Sequence, residues 1–587
     1  MRWALRNAEF QDVQRLALEA GLPVSLARLL AVRGIQNAEQ AHKFLNPSLQ
    51  DLHSPYLMTG LRVAVKRLQA AIERGETVFV YGDYDVDGTT AIVILKTALE
   101  LCGGKVDYHV PHRIREGYGM RDEIIEQAAD RGVGVIISVD TGIRAFAAAE
   151  TAQRRGVDLI VTDHHLPQSE GVPKALAVVN PNQQGCDYPC KSLCGAGVAF
   201  KIAQALLEET GRARLLPSFL KIVAIATIAD AVPLIGENRI FAKLGLEGLR
   251  KPVNAGLRAL LANCDLDGSR PLSAGDIAFR VAPRLNAAGR MDVAERVIQL
   301  FTEKDAGKAA EMAIQLNQLN GDRQQEEQRI IEEIQKKIES SAELKDAYCL
   351  VLEAEGWHRG VIGICATRVV ERYRRPTLVF SCEDGQAHGS GRSIEAFHLL
   401  DALESCAELF SRFGGHAHAV GCTLPIERLP ELRARLDAHA RQRLQPEDFV
   451  PILKYDAEIS LDEVKHDFWL ALHRLEPFGS GNPVPVFVVR DAKLVQPHRV
   501  LKEKHLKLRV VGGNPNASGR SFQRAHDALG WRMAERVGQE PLLVGDTLDL
   551  AFSLDYNEHP EFGGVQLNLL DFARTAPVAA ATPAPKM

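Results

Sequence analysis

The 587-residue sequence has no apolar run of the roughly 18 to 20 residues that a membrane-spanning helix requires. Its N-terminus, MRWALRNAEF, lacks both the apolar segment and the small-residue cleavage site of a signal peptide. We therefore expect a cytoplasmic protein that makes no contact with a membrane.

An excess of positive charge is also missing, since the formal net charge is -5 and aromatic residues make up only 6% of the chain. A global basic field of the kind that attracts nucleic acid is therefore absent. A local basic groove or bound cations would still allow the protein to bind a polyanion.

The ten cysteines form no regular framework, which favours a reducing compartment over a disulfide-stabilised secreted protein. Three of them, Cys186, Cys190 and Cys194, follow a C-x3-C-x3-C spacing. This spacing matches no common zinc site, and no fourth ligand lies nearby, which argues against a metal there.

What the sequence does contain is a regular alternation of strand and helix patterns between residues 76 and 235. Short β-branched runs occur at residues 77–83, 105–111, 132–140, 157–165 and 175–182, each followed by a polar or glycine turn and a helical pattern. This alternation predicts an α/β fold with a doubly wound parallel sheet.

The chain is too long for one core, so we expect several domains. The predicted segments are an N-terminal helical segment (1–60), a first α/β domain (61–291), a connector helix (292–343), a second α/β domain (344–445), a small β-barrel (450–573) and a disordered tail (574–587).

Polar residues cluster where three of the predicted strands end. Asp83, Asp85 and Asp87 follow the first strand, Asp140 the third, and Asp163, His164 and His165 the fourth. Because ligands of doubly wound sheets bind at the carboxyl ends of the strands, these side chains are expected to converge.

Clustered carboxylates either raise one another's pKa or bind cations, and mixed Asp and His sites suit Mn²⁺ and related metals. Together with the later Asp230, the cluster could hold two ions that activate water and stabilise the leaving oxygen of a phosphate ester. The alternative for a single aspartate, Asp87 above all, is a helix N-cap.

These motifs resemble the DHH phosphoesterase superfamily. The resemblance rests on DYDVDG (83–88), SVDTG (138–142), TDHH (162–165), IADAVPL (228–234) and APRLNAAGR (282–290). The later stretches GWHRGVIGICATR, GSGRS and GGHAHAVG resemble the DHH-associated domain, and LEPFGSGNP (475–483) resembles the start of the OB-fold region of the RecJ exonuclease family.

The resemblance implies an enzyme that removes nucleotides from the 5′ end of single-stranded DNA with two Mn²⁺ or Mg²⁺ ions, in DNA recombination and repair. The implied metal positions are Asp83, Asp85, Asp87, Asp140, His164 and Asp230, and the implied catalytic positions are Asp163, His165, Arg284 and Asn286. It further implies a single-strand-binding protein and a helicase as partners, and we expect a monomer.

The second α/β domain is predicted to hold the substrate. Its glycine-rich stretches let backbone N–H groups approach phosphate, and Arg392 offers a bidentate contact. The predicted substrate-binding residues are Arg113, His358, Arg359, Ser390, Gly391, Arg392, Ser393, Gly414, Gly415 and His416. The alternatives are ordinary tight turns for the glycine stretches and a surface ion pair with Glu116 for Arg113.

The predicted barrel would grip single strands through the basic run at residues 498–509 and the aromatic residues Phe478 and Phe487. Rival functions are a manganese pyrophosphatase or an oligoribonuclease, and a non-catalytic DNA-binding scaffold. The barrel-like region and the chain length favour a long substrate over a small molecule.

Overall fold

The computed structural model describes residues 1–117, 119–291, 293–512, 524–539, 541–557, 559 and 563–575. The chain divides into two compact units, Met1–Pro47 with Ile452–Met587, and Ser48–Pro451. From residue 576 onward, the predicted tail lies outside the described residues. Within them, no helix is long and apolar enough to cross a bilayer.

The first 47 residues contain one strand besides the predicted helices. Their elements are β1 (Arg2–Leu5), α1 (Phe10–Ala20), α2 (Val24–Ala31) and α3 (Ala38–Leu45). The prediction of helices alone was incomplete, because Arg2–Leu5 pairs in parallel with Ile452–Tyr455. A strand that finds its partner 450 positions later leaves no local sequence pattern to read.

The first α/β domain follows. Its elements are α4 (Leu61–Arg74), β2 (Thr77–Tyr81), α5 (Val86–Leu101), β3 (Lys105–His109), α6 (Asp122–Asp130), β4 (Val135–Val139), α7 (Phe146–Arg155), β5 (Asp158–Thr162), β6 (Ala177–Val179), α8 (Gly195–Glu209), α9 (Leu216–Ala229), α10 (Gly236–Leu249), α11 (Ala255–Ala262), α12 (Ala274–Asp276), α13 (Ala282–Arg290) and α14 (Glu295–Thr302).

The predicted parallel sheet is confirmed. Its strand order is β3-β2-β4-β5-β6, and all four pairings are parallel. Val78 and Val80 of β2 pack with α4, α5 and α8, while Phe79 and Tyr81 pack with α6 and α7 on the opposite face. The strand order reverses at β2, because β3 lies on one side of it and β4 on the other. Such a reversal opens a crevice at the carboxyl ends of the strands.

A long helix leads to the second α/β domain. The elements are α15 (Ala306–Ser340), α16 (Ala342–Asp346), β7 (Leu350–Glu355), α17 (Ile362–Tyr373), β8 (Thr377–Glu383), β9 (Gln386–Arg392), α18 (Leu399–Glu404), β10 (Arg412–His416), β11 (Ala419–Pro425) and α19 (Leu429–Arg443). The sheet order is β10-β11-β9-β8-β7, with only β7 and β8 parallel. The first glycine-rich stretch therefore lies mainly in strand β9, and the second forms β10 and β11 with a tight turn at residues 417–418 between them.

The C-terminal part of the chain is mainly β. Its elements are β12 (Ile452–Tyr455), β13 (Ala457–Glu458), α20 (His466–His473), β14 (Phe487–Leu494), β15 (Arg499–Leu501), β16 (His505–Val511), β17 (His526–Gly530), α21 (Ala534–Gln539), β18 (Thr547–Asn557) and β19 (Gly564–Arg574). The sheet order is β13-β14-β18-β19-β17-β16-β15, and β14 also pairs with β16.

A buried polar network holds residues 1–47 against this C-terminal part. The Nε of Arg33 donates to Asn482 Oδ1 at 2.6 Å, and its Nη2 donates to the Pro483 carbonyl at 2.6 Å. Its Nη1 lies 3.7 Å from Asp456 Oδ1, and both side chains are only 2% exposed. The N-terminal segment is thus an integral part of this unit.

We expect Arg33→Ala to lower the free energy of unfolding of this unit by about 3 kcal/mol, because it leaves the partly exposed Arg6 as the remaining cation beside the buried Asp456 carboxylate. Urea unfolding measures the loss. The matched control is Arg15→Ala, which removes an ion pair with Asp12 that is 53% exposed and should cost about 0.5 kcal/mol or less. Equal small losses in both variants would contradict the role given to Arg33.

Candidate active site

The predicted polar residues meet at the carboxyl edge of the parallel sheet, where β2 and β4 end. Three groups have ligand atoms within 4.8 Å of one another: Asp83 with Asp85 and Asp140, Asp87 with His164 and Asp230, and Asp140 with His164 and His165. The Nε2 atom of His164 lies 3.2 Å from Asp140 Oδ1, 3.7 Å from Asp87 Oδ2 and 3.9 Å from Asp230 Oδ2. Asp140 and His164 each belong to two of these groups, and Asp140 is the carboxylate that connects Asp83 and Asp85 with the histidines.

Two of the aspartates are fixed by helix N-termini. The Oδ1 atom of Asp85 accepts from Gly88 N at 3.0 Å and caps α5, so the N-cap considered for Asp87 belongs to Asp85 instead. The two oxygens of Asp87 accept from Gly195 N at 2.5 Å and from Ala196 N at 2.8 Å, at the start of α8. Helix N-termini favour such carboxylates, which keeps Asp87 in one position.

Gly195 has a second role, because a Cβ atom there would lie 2.5 Å from the Asp140 Cβ. Asp140 itself has a positive φ of 60°. Aspartate is among the few non-glycine residues that adopt this backbone conformation readily. The close packing of α8 against the end of β4 therefore depends on both residue types.

Asp163 orients the histidines, and both of its carboxylate oxygens accept hydrogen bonds. Its Oδ1 accepts from His165 Nδ1 at 2.7 Å and from the backbone N–H groups of His164 and His165, and its Oδ2 accepts from Ile143 N at 2.9 Å. Asn180 and Asn182, after β6, donate to the carbonyls of His165 and His164. Neither asparagine is among the predicted site residues, although both follow a strand that ends at this edge.

The cluster holds more negative charge than the described residues neutralise. Burial, followed by repulsion from neighbouring aspartates, raises the pKa of Asp83, Asp85 and Asp140, and it raises the pKa of Asp230 to about 8. Asp83 Oδ1 and Asp140 Oδ1 are buried without a hydrogen bond. Buried carboxylate oxygens aimed at one point with imidazole nitrogen between them are a donor set that fits divalent cations such as Mn²⁺.

The pKa values of the two histidines are shifted in opposite directions. Burial lowers the pKa of His164, which keeps its imidazole neutral and able to ligate a metal. Burial also acts against the charged form of His165, but the hydrogen bond and the charge of Asp163 outweigh it and raise its pKa to about 9. His165 is therefore a cation at neutral pH, at the border between the cluster and the neighbouring cleft.

A cleft of about 860 Å³ lies between the two α/β domains and begins at His165. It is lined by the arginines Arg113, Arg144, Arg290, Arg359, Arg392 and Arg412. Burial, followed by repulsion from Arg113, Arg323 and Arg392, lowers the pKa of Arg290 to about 10. A chain with an overall negative charge thus concentrates positive charge beside its carboxylate cluster, as a polyanion site requires.

Seven of the ten predicted substrate-binding residues line this cleft: Arg113, Arg359, Ser390, Arg392, Gly414, Gly415 and His416. Along β9 the residues alternate, so Ser390 and Arg392 face the cleft while a Cβ at Gly391 would collide with Val420 and Leu399. Across the sheet, Gly414 pairs with Gly421, which pairs with Ser390. The cleft wall is therefore flat at this point.

The other three residues have different contacts. His358 Nδ1 accepts from Gly360 N, Ser393 Oγ donates to the Phe397 carbonyl, and Gly391 packs in the core of the domain. They support the cleft wall and do not line it. Successive side chains of a strand point to opposite faces, so consecutive residues of one sequence motif do not all line the same cleft.

Two predicted catalytic residues on α13 also have structural partners. Arg284 donates to Asn317 Oδ1 and to the Arg280 carbonyl and is not among the cleft residues, while Asn286 Oδ1 accepts from Val86 N at 3.3 Å. Arg290, two turns beyond Arg284 and overlooked by the sequence analysis, is the arginine of this helix that lines the cleft and donates to the Gly360 carbonyl.

The cysteine cluster belongs to the core. Cys186, Cys190 and Cys194 are buried free thiols, and burial raises the pKa of Cys194 well above its ordinary value. Among the described residues, none of the groups that could hold a metal includes a cysteine.

The fold and the site together define a protein of the DHH class. Residues 77–227 match the DHH family N-terminal domain, and residues 346–442 match the DHHA1 domain. Residues 455–571 match the RecJ OB domain. The resemblance drawn from the motifs is thereby confirmed over most of the chain.

The single-stranded-DNA-specific exonuclease RecJ of Bacillus subtilis is 35% identical over 584 residues, which cover 98% of this chain and 71% of that protein. Its Escherichia coli counterpart is 36% identical over 540 residues, 88% of this chain and 92% of that protein. The crystal structure of Thermus thermophilus RecJ in complex with Mn²⁺ has a TM-score of 0.82 at 28% identity, covering 98% of this chain and 80% of that one. The chain belongs to the RecJ family.

We expect Asp140→Asn to raise the thermal stability of the metal-free protein while abolishing Mn²⁺ binding. The substitution removes one of the repelling buried charges, and asparagine tolerates the positive φ. Scanning calorimetry with chelator and titration calorimetry with Mn²⁺ measure the two effects. Asp107→Asn, on exposed β3 with an ion pair to Arg131, is the control that should change neither. Unchanged Mn²⁺ affinity in Asp140→Asn would refute the central position of Asp140.

The raised pKa of Asp230 predicts how pH affects the metal-free protein. Because its folded-state pKa of about 8 lies above the unfolded value, its contribution to stability is present at low pH and is lost as pH rises toward 8. Mn²⁺ must displace the bound protons, so its affinity should increase between pH 6 and pH 8. Titration calorimetry in two buffers of different ionisation enthalpy should show proton release, and Asp230→Asn should release fewer protons. An affinity independent of pH would contradict the assigned charge state.

Proposed function

We propose that this protein is a 5′→3′ exonuclease that degrades single-stranded DNA to mononucleotides by hydrolysis with two Mn²⁺ or Mg²⁺ ions. The observation that carries the proposal is the carboxylate and histidine cluster at one end of an arginine-lined cleft. One part suits cations and the other suits the phosphates of a polyanion. Relatives that share 35–36% of this sequence over most of its length are named single-stranded-DNA-specific exonucleases, which supports the same substrate here.

In the proposed site, Asp83, Asp85 and Asp140 would hold one ion, and Asp87, His164 and Asp230 would hold the other, with Asp140 close enough to His164 to contribute to both. Bound divalent ions lower the pKa of coordinated water and neutralise charge that develops on the phosphate. Asp163 keeps a proton on His165 Nδ1, so His165 meets the scissile phosphate as a cation. The amides of Gly195 and Ala196 keep Asp87 in place throughout the reaction.

The arginines give the enzyme its direction. A 5′-terminal phosphate is compact and doubly charged, and Arg113, Ser390 and Arg392 offer it charge-assisted hydrogen bonds. Arg290 lies near enough to Arg113 and Arg392 for their charges to lower its pKa, so the three form one cationic group. A phosphate held there would place the first phosphodiester of the strand at the metal cluster.

The OB region is proposed to bind the strand non-specifically. Of the two aromatic residues predicted for this role, Phe487 is only 1% exposed and therefore unsuited to base stacking, and Phe478 is partly buried against the core. Within the basic run, Lys507 and Arg509 form ion pairs with Asp527. Trp531 is 56% exposed and forms a T-shaped contact with His505, and its exposure makes it the better candidate for base stacking.

The rival functions gain no support from particular contacts. The OB match distinguishes the chain from an enzyme that hydrolyses pyrophosphate or very short RNA. The complete set of Asp and His side chains in the cluster argues against a non-catalytic scaffold. All ten cysteines are free, which supports a reducing cytoplasmic location. The single-strand-binding protein, the helicase and the monomeric state stay predictions.

The experiment that tests the proposal is digestion of single strands labelled at the 5′ or the 3′ end, with Mn²⁺. The 5′ label should appear at once as a mononucleotide and the 3′ label only late. Release of phosphate from pyrophosphate without nucleotide release would favour the pyrophosphatase, and absence of any hydrolysis would favour the scaffold.

We expect Arg392→Ala to raise KM about 10-fold or more for 5′-phosphorylated strands and much less for 5′-hydroxyl strands, because only the phosphorylated end loses a charge-assisted bond. Steady-state kinetics on both substrates measure the difference. Arg435→Ala, which removes an exposed pair with Glu408 in the same domain, is the control and should leave both KM values unchanged. Equal losses on both substrates would show that Arg392 does not read the terminus.

A further inference from the structure

Tyr84 lies in the chain between Asp83 and Asp85 of the metal cluster, and its ring contacts Arg113. Its backbone is held on both sides, since a Cβ at Gly289 would lie 2.2 Å from the Tyr84 carbonyl oxygen and a Cβ at Gly88 would lie 2.6 Å from the Asp83 carbonyl oxygen. Two residues further along, the Val86 amide donates to Asn286 Oδ1 at 3.3 Å. The backbone that carries the Tyr84 ring is therefore held by close contacts on both sides.

The ring lies beneath the guanidinium of Arg113, with 4.8 Å between the Arg113 Cζ atom and the ring centroid. The ion pair with Glu116 that the sequence allowed is not formed; Glu116 binds His109 Nε2 at 2.9 Å and His112 N at 2.9 Å instead. The contact that holds Arg113 at the cleft is thus with the face of an aromatic ring and not with the Glu116 carboxylate.

The contact with the Tyr84 ring counteracts the repulsion between Arg113 and the other arginines of the cleft. Arg113 lines the same cleft as Arg290 and Arg392, and the mutual repulsion of the three guanidinium groups favours withdrawal of Arg113 into solvent. A carboxylate would hold Arg113 but would also occupy the N–H donors that a phosphate needs. A ring face attracts the guanidinium through its quadrupole and leaves the N–H groups at the guanidinium edge available.

We propose that Tyr84 is a positioning residue that holds Arg113 in the cleft for the terminal phosphate of the substrate. The inference rests on the proposed function only in assigning Arg113 to that phosphate. It places a determinant of end recognition inside the DYDVDG motif, between residues assigned to metal binding. The two functions of the site are then linked through one short loop.

The test compares Tyr84→Phe, which keeps the ring face, with Tyr84→Leu, which removes it, alone and combined with Arg113→Gln. Binding of 5′-phosphorylated and 5′-hydroxyl oligodeoxynucleotides is measured by fluorescence anisotropy with Ca²⁺ in place of Mn²⁺, and turnover is measured with Mn²⁺. Thermal unfolding and Mn²⁺ titration of each variant report on the fold and the metal cluster.

We expect Tyr84→Leu to weaken binding and raise KM for the phosphorylated strand about 3- to 10-fold, with the hydroxyl strand and the Mn²⁺ affinity nearly unchanged. Tyr84→Phe should stay within about twofold of the parent protein, because phenylalanine offers a similar ring face. In the Arg113→Gln background, Tyr84→Leu should have no further effect, since the double-mutant cycle assigns the whole loss to the pair.

Equal losses on both strands, additive losses in the double variant, or a parallel loss of Mn²⁺ affinity would overturn the proposal. If Tyr84→Leu does not fold, a Tyr84→Phe variant that loses discrimination as strongly as Arg113→Gln would overturn it as well. Failure of the exonuclease proposal would appear differently, as preferential binding of phosphorylated strands without release of nucleotides.

Discussion

The structure depends on the repulsion among carboxylates that are buried together at the end of β2 and β4. Burial and neighbouring charge both disfavour their ionised forms, and Asp83 and Asp140 each keep an oxygen without a hydrogen bond. Such a cluster is unfavourable for the protein alone. The surrounding fold holds it in place through the caps at Asp85 and Asp87, the left-handed backbone at Asp140 and the glycine at residue 195.

The arginine-lined cleft lies beside this cluster and carries the opposite charge. Phosphate groups of a single strand bring the negative charge that the arginines lack, and divalent cations bring the positive charge that the carboxylates lack. His165 stands at the border, where Asp163 keeps it protonated. Each half of the site is incomplete without its ligand, and the boundary between them defines where a phosphodiester would be cut.

Much of this could be predicted from the sequence, because strand patterns and the polar residues that end them are local signals. The parallel sheet and the convergence of its strand ends follow from alternation of strand and helix. The residues that the prediction assigned differently are those whose neighbours come from distant parts of the chain. Arg284 and Arg290 share a helix, and only packing against the second domain shows that Arg290 faces the cleft. The pairing of β1 with β12 and the burial of Phe487 likewise depend on contacts across hundreds of residues or on the sheet's inner face.

The central claim is that the buried carboxylates form a site for two divalent cations. Anomalous diffraction at the manganese edge from crystals soaked in Mn²⁺ tests it most directly. The account predicts two peaks about 3.5 to 4 Å apart, with the Asp140 carboxylate between them. A single peak, or two peaks that do not share Asp140, would contradict it.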